Sequence, residues 1–368
     1  MRIRYGTTPD GKLVKKAEIY TPAEHRIDPA RIDPDARRII GHLRRAGHKA
    51  YIVGGAVRDL LTGVDPKDFD IATDATPRRL RRIFPNSRQI GRRFRIVHVY
   101  VQRDGQRKIF EVTTFRSRQN GEGGTAYGSM EEDVWRRDFT LNALYYCPFD
   151  GLVVDFVGGY RDIREGRLRT PMPTEASFLE DPVRMLRGVK YAVIARVELP
   201  RPMAGLIRKH RQAISTCSPA RLTEEIYKIL GSGSAVPIFA SAFQLRLLEA
   251  CLPALDQHLS SLGKAEVQAS LERSLGELDR QVRSPEGGEV ARGLMLAALF
   301  QDLAEGWKQG LPAEDPLGAM MDKLRQAALP LIPSRKELEQ AARHYLRPAH
   351  RRRRQPRRRH GESARRPQ

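Results

Sequence analysis

The apolar positions of this chain change period repeatedly up to about residue 160, then settle into one period past about 175. Ile39, Ile40 and Leu43 recur at helical spacing and predict a helix over 35–46. Tyr51, Ile52 and Val53 read as a strand, residues 57–61 as a helix and 69–72 as a second strand. Thr76-Pro77 is an N-cap with proline at the first helical position, opening a helix that runs to Phe84. Two β-rich runs, 95–101 and 108–115, flank Arg103-Asp104-Gly105-Gln106, a hairpin signal. Gln119–Tyr127 is glycine-rich and reads as a mobile loop, and Ser129 with Glu132 fits a capping box that starts a helix. Beyond it, residues 181–193, 221–230, 237–252, 266–278, 293–303, 317–328 and 335–345 all read as helices. The pattern predicts a mixed α/β head followed by an all-helical neck and body, with no internal repeat. Residues 1–34, polar and broken by Pro22, Pro29 and Pro34, read as an extended lead-in. The predicted divisions are 1–34 lead-in, 35–170 head, 171–235 neck, 236–346 body and 347–368 tail.

Composition changes this picture in one respect. A chain of 368 residues with 40% hydrophobic side chains has ample core for two or more domains. Its net charge of +21 is the unusual figure, and it implies a polyanionic partner, most often nucleic acid. The 22 residues from Arg347 hold ten arginines and one acid, Glu362, for a net +9 that leaves +12 on the rest. The tail, with Arg351, Arg352, Arg353 and Arg354 in one run, cannot bury a core and reads as disordered when free. Cys147, Cys217 and Cys251 lie far apart with no Cys-x-x-Cys spacing, which fits a reducing, cytoplasmic setting. No run approaches the length of a membrane span and the start lacks a secretory segment, so no integral membrane segment is expected.

The candidate chemistry centres on Lys67-Asp68-Phe69-Asp70-Ile71. Residues two apart on a strand share a face, so Asp68 and Asp70 present their carboxylates together while Phe69 and Ile71 turn to a core. Two adjacent anions call for a cation, and a hard divalent metal with oxygen ligands is the natural one. Just upstream, Gly54-Gly55 follows an apolar run and precedes Ala56-Val57-Arg58, the order strand, turn, helix start, where backbone N–H groups can hold phosphates. A phosphate cradle beside a metal-binding pair points to nucleotidyl transfer. Glu111, on a separate strand, completes a metal site if that strand lies beside Asp70; an exposed strand glutamate is the plainer reading.

Two further groups bear on the nucleotide. Arg136-Arg137-Asp138-Phe139-Thr140 with Asn142 interrupts a helical pattern with polar groups suited to a ribose and triphosphate, although charged surface helix ends are common. Glu180-Asp181-Pro182-Val183-Arg184 places Asp181 and Arg184 three apart at a helix start, where Asp181 also suits an N-cap. Together they offer one acceptor and one donor. Adenine and cytosine show an amino donor beside a ring-nitrogen acceptor, whereas uracil and guanine carry a donor at the ring nitrogen. An Asp/Arg reader therefore takes ATP or CTP and rejects UTP and GTP without a template.

The ordered series Gly54-Gly55-Ala56-Val57-Arg58-Asp59, Asp68-Phe69-Asp70, Glu111 to Arg116, Arg136 to Thr140 and Glu180 to Arg184 resembles one family closely. It is that of the class II tRNA nucleotidyltransferases and bacterial poly(A) polymerases, in the DNA polymerase beta superfamily, and the resemblance covers about residues 40–250. It implies a polymerase-beta-like mixed sheet with helices, two Mg²⁺ ions, a base-selecting helical neck and an RNA-holding body. By that resemblance Asp68 and Asp70 bind the metals, and Asp138 belongs to the nucleotide site and counts as catalytic. Gly54, Gly55, Arg58, Arg137, Asn142, Asp181, Arg184 and Arg187 are the expected nucleotide-binding residues. Residues Ile90 to Val99, with Arg92 and Arg93, resemble the poly(A) polymerase signature, as does the arginine tail; these arginines are the expected RNA contacts. The implied partners are ATP and RNA 3′ ends rather than DNA, in polyadenylation that serves mRNA processing and decay. CCA addition to tRNA is the alternative branch, and a catalytically silent RNA-binding protein the alternative class. Gly188 to Tyr191 departs from the family's usual arginine/phenylalanine run at the base pocket.

Overall fold

The computed structural model describes residues 2–7, 13–91, 96–103, 106–117, 126–284 and 288–347. The chain divides into two compact units, Met1–His210 and Arg211–Gln368. The first holds a nine-stranded mixed sheet. Its strands are β1 (Arg2–Thr7), β2 (Leu13–Tyr20), β3 (Ala50–Val53), β4 (Asp70–Thr73), β5 (Ser87–Ile90), β6 (Ile96–Arg103), β7 (Gln106–Thr114), β8 (Leu144–Cys147) and β9 (Leu152–Asp155). They lie in the order β1-β2-β9-β8-β3-β4-β7-β6-β5. Every pairing is antiparallel except that of β4 with β7.

Alternation along these strands builds two cores. Ile52, Ile71, Val112, Leu144, Tyr146 and Val153 face one way, toward the helices Pro34–Arg45 and Pro77–Ile83 through Ile40, Leu43 and Leu80. Val53, Ala72, Tyr145 and Val154 face the other way, with Phe115 and Val134. Phe69 and Ile71 enter the first core, as the strand period requires.

The expected elements from 35 to 115 are present within a few residues of their predicted bounds, and the β6–β7 hairpin pairs Arg103 with Gln106. Four differences have physical causes. The first 34 residues are not a mere lead-in: they carry β1 and β2, and β2 pairs with β9. Of the described β2 side chains only Ala17 and Tyr20 are buried apolar ones, so no hydrophobic run announces the strand. All four residues of β8 are buried, a short apolar run that periodicity cannot assign. The capping box at Ser129 and Glu132 forms, with N–H to side-chain oxygen distances of 2.8 and 3.2 Å, but its helix ends after one turn, Met130–Asp133. Finally, the helices Thr174–Glu180, Val183–Ile194 and Arg201–His210 fall in the first unit, beyond the predicted boundary at 170. Gly188 shows why: a Cβ there would lie 3.2 Å from Phe139 Cζ, so its helix rests directly on the head.

The second unit is helical throughout its described residues. The predicted 237–252 helix is two, Ala235–Gln244 and Leu248–Cys251, because Arg246 turns left-handed at φ 61°. Lys264–Arg283 is longer than predicted, and its buried Asp279 accepts the N–H groups of Ala235 and Val236 at 2.7 and 3.0 Å. That carboxylate satisfies helix-start donors from a distant part of the chain. Among the described residues no helix is long and apolar enough to cross a membrane.

Candidate active site

Asp70 opens β4 directly opposite Val53 on β3, and the chain leaves β3 through Gly54 into the helix Gly55–Leu61. Gly54 has φ +73° and ψ −133°, a conformation that favours glycine. A Cβ at Gly54 would sit 4.0 Å from Asp70 Oδ2 and 3.8 Å from Arg137 Nη1, so the turn lies close over both groups. Asp68 and Asp70 are exposed and Phe69 between them is buried. Two exposed carboxylates offering only oxygen beside a glycine turn fit a hard divalent cation.

Glu111 meets the condition set for it in part. β7 lies parallel to β4 with Ile71 opposite Val112, which puts Glu111 level with Asp70. Its side chain, however, faces His98 Nε2 at 3.5 Å. Among the described residues no three His, Cys, Asp or Glu side chains gather as a metal cage, so Asp68, Asp70 and Glu111 do not converge. Mutual repulsion of three carboxylates disfavours such a cluster.

Behind the pair, the remaining predicted residues form a buried network. Arg58 Nη1 donates to Asn142 Oδ1 at 2.8 Å, and Asn142 Nδ2 donates to Asp138 Oδ1 at 3.2 Å. The Phe139 N–H adds a second bond to that oxygen at 2.8 Å, while Arg187 Nη2 lies 2.8 Å from Asp138 Oδ2. Burial pushes the Asp138 carboxyl up, but Arg187, the Phe139 N–H and Asn142 prevail and hold it below the ordinary value of 3.8. Arg58 also binds Asp59 Oδ1 at 2.7 Å and packs 5.2 Å over the Tyr191 ring. Its buried guanidinium thus braces the network while Nη2 stays within 3.5 Å of the Cβ position of Gly55, beside the glycine turn.

Arg137 belongs to a second network. It donates to Asp133 Oδ2 at 2.9 Å and to Tyr145 Oη at 3.2 Å, and Tyr145 donates to the same Asp133 oxygen at 2.8 Å. Burial raises Asp133, yet Arg137 and Arg116 outweigh it and keep the carboxyl below its usual range.

Asp181 and Arg184 are together, with Arg184 Nε 3.9 Å from Asp181 Oδ2. Asp181 ends the helix Thr174–Glu180 and does not cap the next, which begins at Val183. Arg184 is buried and clamped: Nη1 donates to Ser177 Oγ at 2.9 Å and lies 3.3 Å from Glu180, and Nη2 donates to the Arg136 carbonyl at 3.0 Å. Arg92, Arg93 and Arg351 to Arg354, and most of the glycine-rich loop, lie outside the described residues.

Asp133, Tyr145 and Tyr191 were not singled out from the sequence. Asp133 and Arg137, and likewise Arg187 and Tyr191, stand four apart, the spacing at which helical neighbours meet. Tyr145 carries no such signal.

A mixed sheet bearing an exposed Asp-x-Asp pair beside a glycine turn defines the nucleotidyltransferase class. Residues 50–169 match the "Poly A polymerase head domain", and residues 199–259 match the "Probable RNA and SrmB- binding site of polymerase A". Over 338 residues the chain is 35% identical to Poly(A) polymerase I of Salmonella typhi, spanning 85% of this chain and 71% of that relative. It is 36% identical over 230 residues to the CCA-adding enzyme of Geobacillus stearothermophilus, across 60% of this chain and 55% of the relative. The crystal structure of the Bacillus stearothermophilus CCA-adding enzyme in complex with CTP aligns with a TM-score of 0.55 at 25% identity, covering 85% of this chain and 82% of that one. The chain belongs to the family of bacterial poly(A) polymerases and class II tRNA nucleotidyltransferases, and it is a nucleotidyltransferase.

Proposed function

We propose that this chain adds AMP from ATP to RNA 3′ ends without a template, releasing pyrophosphate. The observation that carries the reading is Asp70, exposed beneath the Gly54 turn with exposed Asp68 two residues before it, backed by the buried Asp138 network. Asp68 and Asp70 would hold two Mg²⁺ ions, which when bound lower the pKa of the attacking 3′-hydroxyl and neutralise charge on the triphosphate. Glu111, facing His98, would stand at the margin of that site. The Gly54-Gly55 turn presents backbone to the phosphates, and Arg137, held by Asp133 and Tyr145, keeps one edge of its guanidinium toward that turn. Asp138 and Asn142 fix the nucleotide's floor. Asp181 and Arg184 would read the adenine edge, with Arg184 pre-oriented by Ser177 and the Arg136 carbonyl.

AMP addition is favoured over CCA addition by the similarity to relatives called Poly(A) polymerase I over 85% of this chain. The CTP complex among the solved structures favours the second reading, CCA addition, because adenine and cytosine share the edge this pair would read. Purified protein incubated with labelled RNA and each single nucleoside triphosphate, and with tRNA lacking its end plus CTP and ATP together, decides between them. Long tails with ATP alone support the first reading. Growth limited to C, C and A on tRNA lacking its end supports the second.

A further inference from the structure

Two of the arginine-lined hollows among the described residues of the head differ in their counter-ions. One, of about 590 Å³, lies between the helix Pro34–Arg45 and Phe149, which follows β8. There Arg44 binds Asp150 at 2.8 and 3.1 Å and Arg38 binds Asp35 at 3.0 Å, so half of its arginines are already neutralised. The other, of about 520 Å³, lies between the helix Pro77–Ile83 and the edge strand β5, and Arg78, Arg81, Arg82, Gln89 and Tyr127 line it. No described carboxylate lines this second hollow, and these three arginines make no ion pair or side-chain hydrogen bond with a described residue.

Four of the seven residues in that helix are arginine, at spacings where like charges repel. The apolar side of the helix is spent on Leu80, fully buried in the core, which leaves the arginines exposed. Tyr127 is 40% exposed and adds a half-open ring to the rim. A set of guanidinium groups with no counter-ion among the described residues, beside an aromatic edge, is the equipment of a strand-holding surface: phosphates for the cations, a base face for the ring.

We propose that this hollow binds the phosphate backbone of single-stranded RNA upstream of the 3′ end that reacts. The inference rests on the proposed RNA-extending activity and adds where on the head the strand lies. Its position fits an upstream segment and not the reacting nucleotide. β5 is three strands from β4 in the sheet, a lateral offset of roughly 15 Å at the usual strand spacing. The helix packs through Leu80 on the face that Ile71 enters, opposite Asp70 by the strand period, so an RNA strand reaching the hollow rounds the sheet and spans more than about four stacked nucleotides.

The test compares two double variants of the full chain with equal loss of charge. Arg81→Gln with Arg82→Gln empties the β5 hollow of two cations; Arg37→Gln with Arg45→Gln removes two from the Phe149 hollow. Binding of a 20-nucleotide single-stranded RNA is measured across a salt series. The first pair is expected to weaken binding about tenfold and to flatten the log–log salt slope by about 1.4, the loss of two single-strand phosphate contacts. The second pair is expected to change affinity less than about twofold, as screened surface charge does. Equal effects from the two pairs would mean that net charge alone is read, and would overturn the site. Wild-type affinity and slope in the Arg81/Arg82 variant would also overturn it, and would assign the hollow to another polyanion such as an acidic protein surface. A wild-type chain that binds no RNA defeats the proposed reaction and this site together, whereas RNA binding with indistinguishable variants defeats only the site.

Discussion

The two sets of carboxylates in the head are held in opposite ways. Asp68 and Asp70 stand exposed at the start of β4, while Asp133 and Asp138 are buried, each against an arginine within 2.9 Å. An acid that must accept and release a cation at every turnover keeps its charge where water supports it. An acid whose task is to hold other groups still can be buried, provided a guanidinium and N–H donors replace the water. The exposed pair therefore carries the chemistry in this account, and the buried pair carries the geometry.

Substitutions that separate activity from stability break or sharpen that contrast. The largest effect is expected from Asp68→Asn: turnover falls by about 10³-fold or more, some 4 kcal/mol of barrier, at an unchanged urea midpoint. A midpoint that drops with turnover would show the exposed pair to be structural after all. Asp138→Asn should do the reverse in proportion, costing roughly 2 kcal/mol of stability by removing the carboxylate charge that faces Arg187, read as a lower urea midpoint at constant m. Gly54→Ala should cost about 1–2 kcal/mol through strain at φ +73°, and should also slow turnover because the turn overlies Asp70. The smallest effect is in the acid limb. The folded Asp138 carboxyl lies below its ordinary 3.8, so its contribution is complete above that value and is lost as pH falls through the folded value. Asp138→Asn should accordingly lose less stability than wild type between about pH 5 and about pH 3. Parallel acid limbs in the two proteins would remove Asp138 from the linkage.

What could be read from the sequence follows the same division. The exposed acids and their glycine turn are local: Asp70 opens a strand whose period of two sends Ile71 into the core, and a Gly-Gly dipeptide marks the turn. Much of the buried network is not local. Arg58 meets Asn142 across 84 residues, and Tyr145 meets Asp133 across twelve, so only the fold joins them. For the same reason the bond from Arg58 to Asn142 has no signal in the sequence around either residue. The strands follow suit: β3 announces itself by an apolar run and β4, β6 and β7 by β-rich stretches. In β2, Lys15, Lys16 and Glu18 break up the apolar positions, and the strand owes its place to pairing with β9, which no local pattern reveals.

The most direct test is ATP-dependent extension of an RNA 3′ end by Asp70→Ala, with RNA affinity and melting temperature measured on the same preparation. The account predicts no detectable extension, RNA affinity within about twofold of wild type and an unchanged melting temperature. Extension at the wild-type rate would contradict it.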